Sequence, residues 1–216
     1  MKKKFITLFL IIINVVFSKE IDVKKCVNPP VIDGRLDEEC WKHTKLELVS
    51  NVMGESLFEN TNVFLSYDEK NLYIGFECFE SYMNEIKSVA KSPDDVWADD
   101  CVEIFMDTNN DEISYYHILI NSNGLTSKNY NKKKKESYGW KGEIEVKTSK
   151  ESNKWLVEVK IPFESLNKEE VDKKSWKMNF ERERPAKSAS IYEDSIWSPT
   201  WGDSHMVDKF GIVRFK

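Results

Sequence analysis

The chain has 216 residues, 32 basic and 37 acidic, for a formal net charge of −5. Residues 1–18 hold three lysines and no acid, so a chain without them carries about −8. A balance that acidic argues against nucleic acid or an anionic lipid surface as the main partner.

Lys2, Lys3 and Lys4 form a positive start, Phe5 to Phe17 is apolar apart from Thr7 and Asn14, and Ser18 follows Val16 by two residues. This is the pattern of a secretory signal, so we expect cleavage after residue 18 and a secreted or periplasmic domain over 19–216. The apolar run is short for a bilayer span and meets Lys19-Glu20 at once; an uncleaved anchor is the alternative reading. Cys26, Cys40, Cys78 and Cys101 remain, an even number that in an exported chain predicts disulfides. Cys26–Cys40 and Cys78–Cys101 are the pairs expected from position along the chain. No Cys-x-x-Cys spacing points to zinc or dithiol chemistry.

Asp37–His43 reads as one helical turn. Beyond it, short alternating runs dominate. Val63, Leu65 and Tyr67 alternate, residues 68–71 turn, and Leu72, Ile74 and Phe76 alternate again, the signature of a hairpin. Val102, Ile104 and Met106 lead into the polar turn Thr108-Asn109-Asn110-Asp111, and Tyr116, Ile118 and Ile120 return from it. Lys132–Lys135 has no apolar periodicity and reads as a solvated loop. Ile144 and Val146 pair with Trp155, Val157, Val159 and Ile161 across residues 149–153, and a turn over Phe163–Leu166 follows Pro162. Trp176, Met178 and Phe180 form a core-facing strand, and residues 210–215 close the chain. No Pro-, Gly- or Ser-rich linker divides it. The expected fold is therefore one all-β domain, an antiparallel β-sandwich of immunoglobulin-like or jelly-roll-like form with one or two short helical turns. Twelve Phe, eight Tyr and seven Trp exceed what such a core requires, which puts some aromatics on the surface.

Several runs occur together in a telling order: Pro30-Val31-Ile32-Asp33-Gly34-Arg35-Leu36-Asp37 with Trp41; Tyr67-Asp68 with Asn71-Leu72-Tyr73-Ile74; Asp99-Asp100-Cys101-Val102-Glu103-Ile104-Phe105-Met106-Asp107; Tyr115-Tyr116 with Ile120-Asn121 and Gly124. Trp155 to Phe163, Met178-Asn179-Phe180 with Arg182, Ile196-Trp197-Ser198-Pro199 and Phe210-Gly211 complete the series. In this order the chain resembles the family-9 carbohydrate-binding modules and their secreted single-domain relatives. The resemblance implies a β-sandwich, often with structural calcium, that holds a sugar ring between two tryptophans while an acid and other polar groups bind its hydroxyls. Trp97 and Glu103 match the first tryptophan and the acid. Trp197 matches the second tryptophan, with Trp201 the alternative register. Leu119 stands where some members carry a basic residue, and Asp194 where an amide precedes the second tryptophan.

Trp97 lies in a polar run, and Trp197 and Trp201 in the loop 195–203; an aromatic platform with convergent polar groups suits the apolar C–H faces of a sugar. The bland reading is that these tryptophans only cover the ends of the sandwich. Glu103 with Asp99 and Asp100 invites a glycosidase reading, but Asp100 and Glu103 point to opposite faces of a strand, and a non-catalytic binder, monomeric and without a required cofactor, is expected. Asp107, Asn109 and Asp111 alternate like calcium ligands, yet Glu112 and Ile118 stand where a calcium loop needs Gly and Glu, so a polar hairpin turn is favoured. Asp33, Asp37, Asp99 and Asp100 are further acids of that kind. His117, His205 and Met206 keep open a haem-binding reading. The competing class of function is an envelope structural or protein-interaction module without a sugar site.

Overall fold

The computed structural model describes residues 19–132, 136–166, 172 and 174–216. Residues 1–18, where the secretory signal is expected, and Lys133–Lys135 lie outside the described residues.

Among the described residues thirteen strands form two sheets. The first runs β1 (Glu20–Val23), β13 (Gly211–Phe215), β11 (Ser175–Arg184), β5 (Cys101–Asp107), β6 (Ser114–Asn121), β7 (Thr126–Lys132) and β8 (Glu136–Gly139), and β12 (Glu193–Ile196) pairs with the far end of β11. The second runs β2 (Lys45–Leu48), β3 (Thr61–Tyr67), β4 (Asn71–Phe79), β10 (Lys154–Pro162) and β9 (Glu145–Lys150). The period-2 alternation explains why they stack: Val102, Ile104, Met106, Ile118, Met178 and Phe180 of the first sheet meet Val63, Leu65, Leu72, Ile74, Phe76 and Val157 of the second in one buried cluster. Trp176 is buried there as expected, its indole N–H donating to the Asp172 carbonyl at 2.6 Å.

The sandwich departs from the expected one in three respects. β1 and β13 run parallel, with Glu20 opposite Ile212, so the architecture is not wholly antiparallel. The expected turns appear as 3-10 segments at Glu39–Lys42 and Phe163–Ser165, and among the described residues three more lie at Met83–Glu85, Pro93–Ala98 and Val207–Lys209. All four cysteines are buried free thiols rather than disulfides. Cys78 faces the interior between the sheets, whereas Cys101 alternates with Val102 and Ile104 and so points out of the opposite face of the other sheet. Cys26 and Cys40 do share a cluster with Ile32, Trp41 and Tyr73, where they pack as small apolar groups, and burial pushes the Cys40 thiol up to about 12.

At one end of the core the apolar stripe of β11 gives way to Arg182 and Arg184, both fully buried. Glu80, beyond β4, receives Arg182 Nη2 at 3.1 Å and Arg184 Nε and Nη2 at 2.8 Å each. Arg182 Nη1 also donates to the Phe79 carbonyl at 2.7 Å, tying the two sheets together. Burial alone would raise the Glu80 carboxyl, but the hydrogen bonds from Arg184 and the Tyr82 amide, with the two guanidinium charges, hold it below the usual range.

Candidate functional site

The outer face of the first sheet is unlike its inner one. On β5 the residues alternating with the core set are Cys101, Glu103, Phe105 and Asp107, and on β6 they are Tyr115, His117 and Leu119. Register fixes their neighbours: Glu103 lies opposite Leu119 on one side and Glu181 on the other, Phe105 opposite His117, and Glu183 opposite both Cys101 and Asp194. Four carboxyl groups, Glu103, Glu181, Glu183 and Asp194, are thus gathered on one face of three adjacent strands.

Their environments differ. Glu103 Oε2 lies 2.5 Å from His117 Nε2. Glu181 is fully buried; Ser204 Oγ donates to its Oε1 at 3.1 Å, and its Oε2 has no partner among the described residues. Burial, then the charges of Glu103 and Glu183, push the Glu181 carboxyl well up. Burial with Glu103 and Asp194 pushes Glu183 up to about 8, and burial raises Asp194 as well. The Tyr192 hydroxyl donates to Glu183.

Phe105 stacks on His117 at 4.3 Å, and His205 stands perpendicular to His117 at 5.0 Å with Nδ1 2.6 Å from the Tyr115 hydroxyl. The two histidines therefore do meet, but through nitrogens engaged by Glu103 and Tyr115 rather than as a pair of axial ligands. Burial and the neighbouring His117 lower the pKa of His205, which favours the neutral ring. Among the described residues no three His, Cys, Asp or Glu groups converge as metal ligands would.

Two walls flank this floor. The 3-10 turn Pro93–Ala98 packs on β5, β6 and β7, with Val96 buried against Cys101 and Leu119. Ser92 caps the turn by accepting from the Asp94 amide, and Pro93 suits its first position. This leaves Trp97 on the outside, 65% exposed. Asp99 accepts from the Val89 and Ala90 amides and from Asn121, and Asp100 accepts from the Lys87 amide and from buried Lys187 Nζ at 2.6 Å. These two acids pin the segment that carries Trp97. Asp100 and Glu103 serve separate networks, as expected of residues on opposite faces.

The second wall is the stretch from Trp197 to Phe210, and here the expectation needs correction. Trp197 is only 4% exposed; its ring packs on Phe180 at 5.9 Å and covers Gly211, where an added Cβ would lie 2.4 Å from the indole. It is an interior residue with no free face. Trp201 takes the exposed position instead, 52% accessible. Its backbone has φ +61°, its amide donates to the Val52 carbonyl at 2.8 Å, and its ring lies over Gly54. The Ser50 carbonyl accepts from the Ile196 amide of β12 at 2.8 Å, which sets the loop that carries the Trp201 ring beside the strand of Asp194. Sequence reasoning missed Glu181, Glu183 and Tyr192; the signal available was the alternation of β11, in which Glu181 and Glu183 interleave with Phe180 and Arg182.

The Asp107–Asp111 turn does not fit calcium. Asp107 accepts from the Asp111 and Glu112 amides, and Asp111 from the Ile113 and Ser114 amides and from Ser114 Oγ and Asn109 Nδ2. Oxygens committed to backbone amides make a polar hairpin turn, not a coordination shell.

The chain is similar to an endo-1,4-beta-xylanase A of Thermoanaerobacterium saccharolyticum, 28% identical over 158 residues, which is 71% of this chain but 12% of that one. It thus spans about an eighth of that enzyme's length. An extracellular protein of Arthroderma benhamiae is 27% identical over 196 residues, 82% of this chain and 87% of that one. Among solved structures, a family 9 carbohydrate-binding module from Caldicellulosiruptor kristjanssonii in complex with glucose shares the fold, with a TM-score of 0.67 at 22% identity over 92% of this chain and 96% of that one. The model of the carbohydrate family 9 binding domain-like family matches residues 32–213, nearly the whole described sandwich. The chain belongs to that family.

Proposed function

We propose that the protein binds carbohydrate without transforming it, holding a sugar against Trp97 and Trp201 over the acidic floor of Glu103, Glu181, Glu183 and Asp194. Membership of the family supports the class of ligand. The observation that carries the site is the exposed indole of Trp97, fixed by a capped and pinned turn beside buried carboxylates. An exposed tryptophan on a rigid turn gives a stacking face at little entropic cost, and Glu103 accepts hydrogen bonds from sugar hydroxyls.

Truncating one central aromatic anchor costs about 2 kcal/mol or more, roughly thirtyfold in affinity. Trp97→Ala should therefore reduce binding to cello- and xylo-oligosaccharides to below detection by titration calorimetry while its thermal melt matches the parent. A folded variant that binds as tightly as the parent sinks the assignment.

The domain acts outside the cytoplasm, delivered by the signal of residues 1–18; no helix of the described residues is long and apolar enough to cross a membrane. N-terminal sequencing of exported protein should return Lys19; Met1 would show the segment retained.

A further inference from the structure

A third exposed aromatic stands at the edge of the proposed site. Tyr192 is 52% accessible, as open as Trp201, and its hydroxyl donates to Glu183 Oε2 on the floor. The segment that leads to it is tied down. Lys187 Nζ donates to Asp100 Oδ2 at 2.6 Å, the Lys187 and Ser190 backbones pair with each other, Arg184 Nη1 donates to Ser190 Oγ at 2.7 Å, and the Ser188 amide donates to Glu85 Oε2 at 2.7 Å. Asp100 also fixes the segment that carries Trp97 through the Lys87 amide, so one buried carboxylate anchors the loops of both aromatics.

The floor beside Tyr192 is where a ligand can reach it. Glu103 and Glu181 are buried, whereas Glu183 and Asp194 are half-buried and stand opposite each other in the β11–β12 register. Among the described residues the groups around Glu183 are acidic or neutral: Glu103, which His117 engages, Glu181 on the same strand, Asp194, the Tyr192 hydroxyl, and Cys101 opposite on β5, whose thiol burial keeps protonated. Glu193 and Glu55 add their charge at Asp194. Arg182 and Arg184 are taken by Glu80 on the other face, and Lys187 by Asp100. Two carboxyl groups that face each other without a cation do not both stay ionised, so the pair retains a proton. Burial, then Glu103 and Asp194, raise Glu183 to about 8, which puts that proton on Glu183 at neutral pH. Tyr192 uses Oε2 as its acceptor, and no other hydrogen bond to Glu183 forms among the described residues, so Oε1 is left to carry the proton. A sugar hydroxyl both donates and accepts, and ionised carboxylates only accept; a protonated Glu183 supplies a donor.

Resting on the carbohydrate-binding reading above, we propose that Tyr192 and Glu183 act as a sugar-contacting pair, the Tyr192 ring forming a third wall of the site and Glu183, as a neutral carboxylic acid, donating a hydrogen bond to a sugar oxygen. Binding is then controlled by pH. Below the point where Glu183 ionises the donor is present; above it the donor is gone and the new charge faces Asp194.

Titration calorimetry with cellotriose and xylotriose at constant ionic strength tests this. Affinity should fall about tenfold between about pH 7 and about pH 9, following the fraction of protein that keeps the Glu183 proton. Glu183→Gln carries an N–H donor at every pH, so it should bind near neutrality as the parent does and show no such fall. Tyr192→Ala should weaken binding about tenfold near neutrality with an unchanged thermal melt. If the parent binds equally well at both pH values, this inference fails and the carbohydrate-binding reading stands. A Glu183→Gln variant whose affinity falls in parallel with the parent puts the proton elsewhere and overturns the inference, as does a Tyr192→Ala variant that binds as tightly as the parent. Should Glu183→Gln fail to fold, Asp194→Asn takes its place: with the opposing charge removed the fall should begin at lower pH, and an unmoved profile is equally fatal. If neither trisaccharide binds at any pH, both readings fail.

Discussion

Glu80→Ala should destabilise the protein by about 3–5 kcal/mol, more than loss of an average core methylene group. The carboxylate is the counter-charge for two guanidinium groups that have no exposure of their own. Removing it leaves Arg182 and Arg184 buried and unpaired, with Arg182 also held against the Trp155 ring and Arg184 over Phe58. Glu80→Gln keeps an acceptor but not the charge and should fall between the two. For a domain of this size each kcal/mol moves the midpoint by about 2–4 °C, so the alanine variant should melt roughly 10 °C lower. Thermal and urea unfolding give the measurement; an alanine variant within about 1 kcal/mol of the parent would mean the network adds nothing to stability.

Trp197→Ala and Trp201→Ala should separate cleanly. Trp197 fills the interior against Phe180 and Gly211, and its truncation should cost about 3–5 kcal/mol of stability. Trp201, half exposed, should lose little stability on truncation, within about 1 kcal/mol, yet lose sugar affinity. Differential scanning calorimetry read beside binding isotherms distinguishes them. A stable Trp197→Ala variant that no longer binds sugar would reverse the roles assigned to the two tryptophans.

The sandwich was legible because most of its strands set large apolar residues at every second position, the set that meets between the sheets. Val63 to Tyr67, Leu72 to Phe76 and Trp155 to Ile161 alternate plainly and became β3, β4 and β10. β7, Thr-Ser-Lys-Asn-Tyr-Asn-Lys, and β12, Glu-Asp-Ser-Ile, carry too few apolar residues to announce themselves; their neighbours in the sheet define them. Of the proposed site, Trp97 and Glu103 could be named from the sequence because both sit in or beside a readable strand. The choice between Trp197 and Trp201 was not readable, since both lie in one loop and only the packing of Gly211 under the Trp197 ring decides which turns inward. The acidic floor was hidden for a different reason. Glu181 and Glu183 alternate with arginines, so the local sequence looks charge-balanced, and only the sheet reveals that the two signs face opposite ways. The Cys78–Cys101 pairing failed on the same ground, because nearness of two strands says nothing about which face each cysteine occupies.

The parallel pairing of β1 with β13 has a kinetic consequence. A chain made and delivered from its N-terminus presents Glu20–Val23 first and Gly211–Phe215 last, yet these two strands complete each other. The edge of the larger sheet therefore stays open until the final residues arrive, and closing it costs the entropy of the longest loop the domain contains. Three strands of the smaller sheet have no such wait, because β2, β3 and β4 are sequential neighbours. Assembly should run from the local meander outward, with the first strand docking last, and the interval before docking is when the chain most needs protection from aggregation.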